Sequence, residues 1–292
     1  MSILVDRNTR IIIQGITGKI ATRMAERAIA GGTNLVGGVR PGRGGSRHLN
    51  MPVFDTVAEA AEAVTPDATA VFVPPQHAAD AMIEAIAAEI PLIVCVTERI
   101  PVLDMVRVKA ALAGSKSRLI GPNSYGIITP GECRIGVMPD RPHSPGKIGI
   151  ASRSATLAYA AVDQTTRLEL GQSTSIGIGG DPVHGIGFRE CLELFLADDK
   201  TAGIVLIGEL GGSDEEEAAA LLAAEKPKKP VVAYIAGVHA PAGRRLGHAG
   251  TIDFFGDRSA AGKIEAFRQA GAIVVDSPTL IGHAMRQALW RL

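Results

Sequence analysis

Short apolar runs alternate with amphipathic segments along the first 120 residues. A β-branched run at 11–13 stops at Gly15, and a segment with helical spacing follows at 20–30. The same alternation predicts strands at 35–39, 70–73, 92–96 and 119–120, and helices at 57–64, 78–90 and 103–113. Buried strands separated by helices are typical of a parallel sheet that is covered on both faces.

Prolines and glycines then accumulate from 121 to 146, which predicts a linker with extended pieces over 123–145. A second alternating series follows. It predicts strands at 147–151, 173–178, 204–207, 231–235 and 273–275, and helices at 156–166, 187–196, 214–224 and 260–270. The fold class is therefore α/β, with two doubly wound domains in series over 1–122 and 146–292.

Composition narrows the class of protein. A chain of 292 residues with 46% hydrophobic residues is long enough for two cores. Its 30 acidic and 30 basic residues balance, which gives no electrostatic reason to expect nucleic acid or a membrane as the main partner. Three cysteines without CxxC spacing argue against a disulfide framework and a zinc site. With a polar N-terminus and no apolar run of about 20 residues, these features predict a cytoplasmic protein.

The first strand-to-helix turn has the composition of a phosphate site. Gly15, Gly18 and Ala21 let the backbone approach a ligand, and the helix N-terminus supplies free N–H groups. Thr17 adds a hydroxyl group and Lys19 a cation. The alternative is a glycine turn that serves only to pack the helix on the sheet.

The loop after the second strand indicates which nucleotide would fit. It carries Arg40 and Arg43 among glycines and lacks the acid that binds the ribose of NAD. Arginines there favour an extra ribose phosphate, as in NADP or coenzyme A, although a solvated turn with incidental arginines is the alternative. After the fourth strand, Glu98 is placed either to accept from an adenine amine or to pair with Arg99.

The second domain offers three further candidates. Ser152, Ser154 and Thr156 precede a predicted helix and together favour an anion site, because a plain N-cap explains only one hydroxyl group. Glu209 follows a strand, where its position suits a cleft, but the residue alone favours a surface glutamate. His248, between Gly247 and Gly250, is a candidate general base, metal ligand, phosphate acceptor or surface residue.

Eleven stretches of the chain resemble the alpha subunit of succinyl-CoA synthetase, the succinate–CoA ligase family. They cover essentially the whole chain and include QGITG, VGGVRPGRGG, VTERIP, ITPGECRIG, PGKIGIASRS, STSIGIGGDP, KPVVAYIAGVHAP and GRRLGHAG. GHAG preceded by two basic residues is the most specific of them. The resemblance implies a Rossmann-like CoA-binding domain followed by a flavodoxin-like ligase domain.

The resemblance also implies roles for particular residues. His248 matches the phosphorylated histidine and Glu209 the acid that orients it. The CoA positions are Thr17, Gly18, Lys19, Ile20, Arg43, Val96, Thr97 and Glu98. The substrate or phosphate positions are Asn123, Ser152, Ser154 and Tyr159.

The implied chemistry needs a second polypeptide. A histidine nitrogen takes a phosphoryl group from a nucleoside triphosphate and passes it to a carboxylic acid, whose acyl phosphate then reacts with CoA. The chain has no GxxxxGK[ST] motif. The resemblance therefore implies a beta subunit with an ATP-grasp fold, which holds Mg²⁺ and ATP or GTP in a heterodimer or heterotetramer.

A few positions depart from the family pattern. Ser124 and Tyr125 stand where Cys-Pro is usual, Asp140 and Ala155 stand where glycine is common, and the loop over 251–259 is also unlike the usual one. These differences leave malate, itaconate, citrate and a sulfur-containing analogue open beside succinate. The alternatives of another class are a CoA- or NADP-binding regulatory module without catalysis and an NADP-dependent oxidoreductase.

Overall fold

The structure is a computed structural model that describes residues 3–139, 141–241, 243–244, 247–252 and 259–291. The chain forms two compact units. The first comprises Leu4–Met138 and Val183–Gly185, and the second the described residues of Pro139–Pro182 and Ile186–Leu292 together with Ile3. Within the described ranges, no helix is long and apolar enough to cross a membrane.

The first unit contains a seven-stranded sheet in the order β3-β4-β2-β1-β5-β6-β7. Its strands are β1 Ile11–Gln14, β2 Leu35–Val39, β3 Arg47–His48, β4 Met51–Phe54, β5 Ala68–Val71, β6 Leu92–Cys95 and β7 Arg118–Ile120. Its helices are α1 Lys19–Ala30, α2 Val57–Val64, α3 Pro75–Ala87 and α4 Val102–Leu112. The pairings are parallel except for that of β3 with β4. A hairpin, β8 Gly126–Thr129 and β9 Cys133–Gly136, follows.

Burial of the central strands explains why the first sheet forms. Ile12, Val71 and Ile93 pack with Met82 of α3 in one apolar cluster. Gln14 is the polar exception at the end of β1, and its amide nitrogen donates to the Ala81 carbonyl at 2.8 Å. Because this buried side chain has a partner, it avoids the penalty of an unsatisfied polar group.

The second unit is a parallel sheet in which β14, β13, β12, β10 and β11 are adjacent in that order. The strands are β10 Pro145–Ser152, β11 Gln172–Gly177, β12 Gly203–Glu209, β13 Val231–Ala236 and β14 Ile273–Val274. The helices are α5 Ala155–Arg167, α6 Phe188–Ala197, α7 Asp214–Glu225, α8 Ala260–Gln269 and α9 Ile281–Trp290. The strand order reverses at β10, so the crevice at the ends of β10 and β12 is where such sheets bind ligands.

The predicted fold class of two doubly wound α/β units is confirmed, but some elements differ. The structure begins β5 at Ala68 and α3 at Pro75, whereas the apolar pattern predicts these elements two and three residues later. Proline is well suited to the first turn of a helix, so Pro75 begins α3. The pattern missed α9 and the pair β3–β4. The segment 123–145, predicted as a linker, contains the hairpin β8–β9, and the first unit extends to Met138.

Candidate active site

His248 and Glu209 meet at the carboxyl end of β12. The His248 Nδ1 atom lies 2.8 Å from Glu209 Oε2 and 3.1 Å from Oε1. The Glu209 side chain is only 9% exposed and that of His248 is 31% exposed. The residue-based interpretation of Glu209 as a surface glutamate is therefore wrong, because its carboxylate is buried beside His248 and Arg153.

The contact determines the tautomer of the imidazole ring. An ionised carboxylate can only accept hydrogen bonds, so Nδ1 carries the proton that it donates to Glu209. In the neutral ring, Nε2 then holds the free lone pair. A half-buried imidazole with this tautomer is a nucleophile or a proton acceptor at Nε2.

Glycines allow the backbone around His248 to approach two loops closely, those after β11 and β12. A Cβ atom on Gly180, which follows β11, would lie 2.3 Å from His248 Cγ, so the ring rests on bare backbone. The Gly250 N–H donates to the Gly180 carbonyl at 3.2 Å. Gly211 has φ +84°, and a Cβ there would lie 2.1 Å from the Gly250 carbonyl oxygen. Substitution at these positions would push the histidine segment away from β12.

Arg153 is a buried cation shared by three carboxylates. Its Nη2 lies 2.8 Å from Asp214 Oδ2, its Nε 3.6 Å from Glu215 Oε1, and its Nη1 3.9 Å from Glu209 Oε1. Burial disfavours the charged guanidinium, but Glu215, Asp214 and Glu209 more than offset this and raise the pKa of Arg153. Arg153 therefore keeps its charge beside the acid that contacts His248.

The surroundings of the imidazole favour its protonated form. The hydrogen bond that His248 donates to Glu209 is the main cause that raises the pKa of His248 above its ordinary value. Burial and the charge of Arg153 oppose this shift, whereas the charges of Glu209 and Asp181 add to it. The protonated ring, in which a proton occupies Nε2, therefore persists to higher pH than in an ordinary histidine.

Ser152 and Ser154 stand at the end of β10, next to the end of β12. Ser152 Oγ accepts from the Ser154 N–H at 3.0 Å, and Ser154 Oγ caps α5 by accepting from the Leu157 N–H at 3.3 Å. Both hydroxyl groups therefore have partners in their own turn, and their contact with a phosphate stays a prediction. Tyr159 lies one turn further along α5 and is 43% exposed.

The predicted phosphate turn of the first unit is open to solvent. Gly15 has φ +83°, which suits glycine, and a Cβ there would lie 3.0 Å from the Phe72 carbonyl oxygen. Gly18 is the N-cap of α1. Thr17, Lys19 and Ile20 are exposed beside it. This is the arrangement in which a helix N-terminus binds an anion.

A cleft of about 590 Å³ opens at the carboxyl ends of three adjacent strands of the first unit. Its walls include Gly15 after β1, Arg40 after β2, and Val73 and Pro74 after β5. These are the loops that the sequence singles out for a nucleotide, and the structure brings them together. A cleft at this edge of a doubly wound sheet is its usual ligand site.

Asp55 organises the basic loop, and no motif or spacing in the sequence singles it out. Its Oδ1 accepts from the backbone N–H groups of Arg43 at 2.9 Å and Gly44 at 2.8 Å. The bond from Gly44 is the largest cause of a lowered pKa of Asp55. The Arg43 side chain is exposed. Asp55 therefore holds the backbone from which Arg43 projects.

The loop after β6 is tied to its neighbours. Thr97, next to the half-buried Val96, donates from Oγ1 to the Val73 carbonyl at 2.7 Å. Its main-chain carbonyl accepts the Asn123 N–H at 2.9 Å. Asn123 and Thr97 are thus adjacent. Glu98 is exposed, and its carboxylate lies 3.6 Å from the Arg99 guanidinium. This weak surface ion pair is the alternative to adenine recognition by Glu98.

Two of the residues that depart from the family pattern, Tyr125 and Ala155, lie among the described residues and differ in burial. Tyr125 is 4% exposed, so its side chain is buried. Ala155 is exposed at the first position of α5. Asp140, Arg245 and positions 253–258 lie outside the described residues. In the part of the chain that is described, no cluster of three or more His, Cys, Asp or Glu side chains is arranged to hold a metal ion.

Comparison with known proteins covers both units. Residues 6–99 match the family model of the CoA binding domain, and residues 151–273 match that of CoA-ligase. The chain is 48% identical over 291 residues to the alpha subunit of succinate–CoA ligase (ADP-forming) from Aquifex aeolicus, covering 99% of this chain and 95% of that protein. It is 45% identical over 288 residues to the corresponding subunit of Staphylococcus aureus strain N315, again covering 99% and 95%.

Solved structures agree with these matches. ATP citrate lyase from Methanosaeta concilii superimposes with a TM-score of 0.91 at 26% identity, covering 99% of this chain and 51% of that one. The chain thus spans about half of that enzyme. A dinucleotide-forming acetyl-coenzyme A synthetase from Ca. Korarchaeum cryptofilum shares the fold, with a TM-score of 0.79 at 18% identity over 97% of this chain and 61% of that one.

Proposed function

The chain belongs to the succinate–CoA ligase alpha-subunit family, and from that premise we propose that His248 carries the phosphoryl group of its reaction. The family resemblance, CoA binding and ligase activity predicted from the sequence are confirmed. The observation that carries the proposal is the 2.8 Å contact between His248 Nδ1 and Glu209, which leaves Nε2 as the nucleophile.

The proposed reaction uses His248 as the phosphoryl carrier and Glu209 as the carboxylate that orients it. The Nε2 lone pair attacks the terminal phosphorus of a nucleoside triphosphate, and the bond to the nucleoside diphosphate breaks. Because Nδ1 keeps its proton, the phosphorylated ring is positively charged, and the carboxylate of Glu209 compensates that charge. The phosphoryl group passes to a carboxylate oxygen of the acid. Attack by the CoA thiolate on this acyl phosphate forms the thioester and releases phosphate.

The first unit supplies the CoA in this scheme. The proposed contacts are those of Thr17, Gly18, Lys19, Ile20, Arg43, Val96, Thr97 and Glu98. Their support is the exposed N-terminus of α1, the basic loop held by Asp55 and the match to the CoA binding domain. The ATP citrate lyase of similar fold was solved with citryl-CoA, which agrees with this assignment.

The acid and phosphate positions are Asn123, Ser152, Ser154 and Tyr159. Succinate is the acid that the curated relatives' name supports, and malate, itaconate, citrate and a sulfur analogue are not favoured. The N-terminus of α5, capped by Ser154, would hold phosphoryl oxygens as charge moves between the reactants.

We further propose a beta subunit as the partner of this chain. The relatives are named as alpha subunits, and the chain has no P-loop motif for a nucleoside triphosphate. The partner would have an ATP-grasp fold and hold Mg²⁺ with ATP or GTP, in a heterodimer or heterotetramer. Three cysteines in no disulfide-like pattern support a cytoplasmic location.

The test uses the chain co-purified with its beta subunit and γ-³²P-labelled ATP or GTP. His248→Asn should abolish acid-labile, alkali-stable label on this chain and thioester synthesis with it. His239→Asn is the matched control, because His239 is an exposed histidine on the loop after β13, and it should label as the parent does. Thioester synthesis that persists without His248 would overturn the proposal.

A further inference from the structure

Behind Glu209, two buried charged residues on separate helices meet the same stretch of backbone. Glu215 of α7 accepts the Glu209 main-chain N–H at 3.1 Å through Oε1. Its other oxygen is hydrogen-bonded to Lys263 of α8. Lys263 is fully buried and also donates to the Gly211 carbonyl at 2.6 Å. Glu215 thus holds the backbone of Glu209, and Lys263 holds the turn that follows it.

This packing is close enough to fix the end of β12. A Cβ on Gly208 would lie 2.6 Å from Glu215 Cγ, so the strand backbone rests directly on the glutamate stem. Taking two charges out of water is unfavourable, and an apolar pair of similar volume often serves stability as well. A buried Lys263–Glu215 pair at this position therefore calls for an explanation beyond packing.

Arg153 connects the pair to the histidine. It lies 2.8 Å from Asp214, 3.6 Å from Glu215 and 3.9 Å from Glu209, so the two glutamates and Asp214 share one cation. Arg153 and His248 both approach Oε1 of Glu209, at 3.9 and 3.1 Å. If Glu215 lost its negative charge, Arg153 would be drawn towards Glu209 and would compete with the imidazole for that carboxylate.

We propose that Lys263 and Glu215 are positioning residues that keep Arg153 from displacing His248 at Glu209. The inference rests on the proposed role of His248. It assigns Lys263 the task of keeping Glu215 ionised in a dry site, so that Glu215 holds both the Glu209 backbone and Arg153. Neither residue touches the reactants in this scheme. Their effect reaches the chemistry through the orientation and basicity of the imidazole.

The charges around each group agree with this relay. Burial raises the pKa of Glu215 and outweighs the lowering by Lys263 and Arg153, so losing Lys263 would raise this pKa further and favour the protonated carboxyl group. The charged groups that act on His248 are Glu209, Arg153 and Asp181. Glu216 also lies 3.5 Å from Lys263. Protonation of Glu215 thus acts on His248 through Arg153 and Glu209.

The experiment is an NMR pH titration of the full chain labelled with ¹³C-histidine, with the His248 signal assigned by its loss in His248→Asn. In Lys263→Met, the pKa of His248 should fall by about one unit, which is the lower end of the effect of a nearby charge. Lys228→Met is the matched control, because Lys228 is exposed just beyond α7. It should leave the titration unchanged.

A second variant guards against misfolding of the first. Lys263→Met combined with Glu215→Gln removes both charges and leaves no unpaired ion in the interior. It should fold, as judged by circular dichroism, and still show the lowered pKa. A parental pKa in either folded variant would overturn the positioning role. The titration needs no phosphorylation, so a chain that never forms phosphohistidine would refute the proposed function and leave this result standing.

Discussion

Replacing Gly180 by alanine should disconnect His248 from Glu209 while leaving the fold intact. The backbone of Gly180 does not have the positive φ that alanine disfavours, so only the added methyl group matters. That methyl would lie 2.3 Å from His248 Cγ. Non-bonded carbon atoms prefer about 3.5 Å or more, so the ring must move by roughly 1.2 Å.

The displacement is large enough to break the hydrogen bond. Adding it to the 2.8 Å separation of His248 Nδ1 and Glu209 Oε2 takes the pair beyond the normal limit of about 3.2 Å. A hydrogen bond to a charged group contributes about 1.5–3 kcal/mol. At about 1.4 kcal/mol for each tenfold change, phosphorylation should slow by roughly ten- to 150-fold.

The assay is rapid-quench measurement of ³²P transfer to the chain in its complex with the beta subunit. Gly262→Ala is the matched control, because a Cβ there meets only Ser259 Oγ at 3.5 Å, an ordinary contact. It should react at the parental rate. Urea unfolding of both variants checks that the fold survives. If Gly180→Ala is phosphorylated as fast as the parent, the close contact between ring and backbone does not position the histidine.

Three other changes test separate parts of the structure. Glu209→Gln should lower the pKa of His248. Because the neutral ring reacts, the phosphorylation rate of the parent should rise with pH, with a midpoint above about pH 6.5. In the variant this rise should occur at lower pH, and an unchanged pH profile would contradict the reasoning. Arg43→Ala should weaken CoA binding about tenfold, as measured by calorimetry, because one charge-assisted hydrogen bond is lost. An affinity equal to that of the parent would contradict this. Gly38→Ala would place a methyl group 2.4 Å from Ile16 Cγ2 and should lower the free energy of urea unfolding by about 1–3 kcal/mol; unchanged stability would show that Ile16 relaxes freely.

Apolar periodicity was enough to predict both sheets because their central strands are buried on both faces. β12 and β13 read as continuous apolar runs, and the structure has them within two residues of the prediction. β3 is different, since Arg47–His48 is a polar two-residue strand that exists only by pairing with β4. α9 directly follows a 3-10 turn at Pro278–Leu280. The start of α9 therefore lacks the N-cap residue by which a helix is recognised in the sequence.

The site could be predicted only in part. Motif spacing identified His248 and Glu209 through the family, but their contact depends on how the segments after β11, β12 and β13 meet in the fold, where Gly180 and Gly211 admit the histidine segment. Lys263 and Glu215 are 48 residues apart, and nothing in their local sequence sets them apart from other charged helix residues. Asp55 likewise acts through backbone N–H groups, whose positions follow from the folded loop and not from side-chain pattern.

The bare backbone beneath the imidazole also has a kinetic consequence. At Gly180, a departing ring meets no side chain that must change rotamer, because glycine has none. The ring is held by its hydrogen bond to Glu209, which contributes about 1.5–3 kcal/mol. At that free energy, the ring is detached in one of roughly ten to 150 molecules. Loop motions take nanoseconds to microseconds, whereas a median enzyme turns over about ten times per second. The histidine can therefore sample its detached state many thousands of times in each turnover, so detachment itself does not limit the rate.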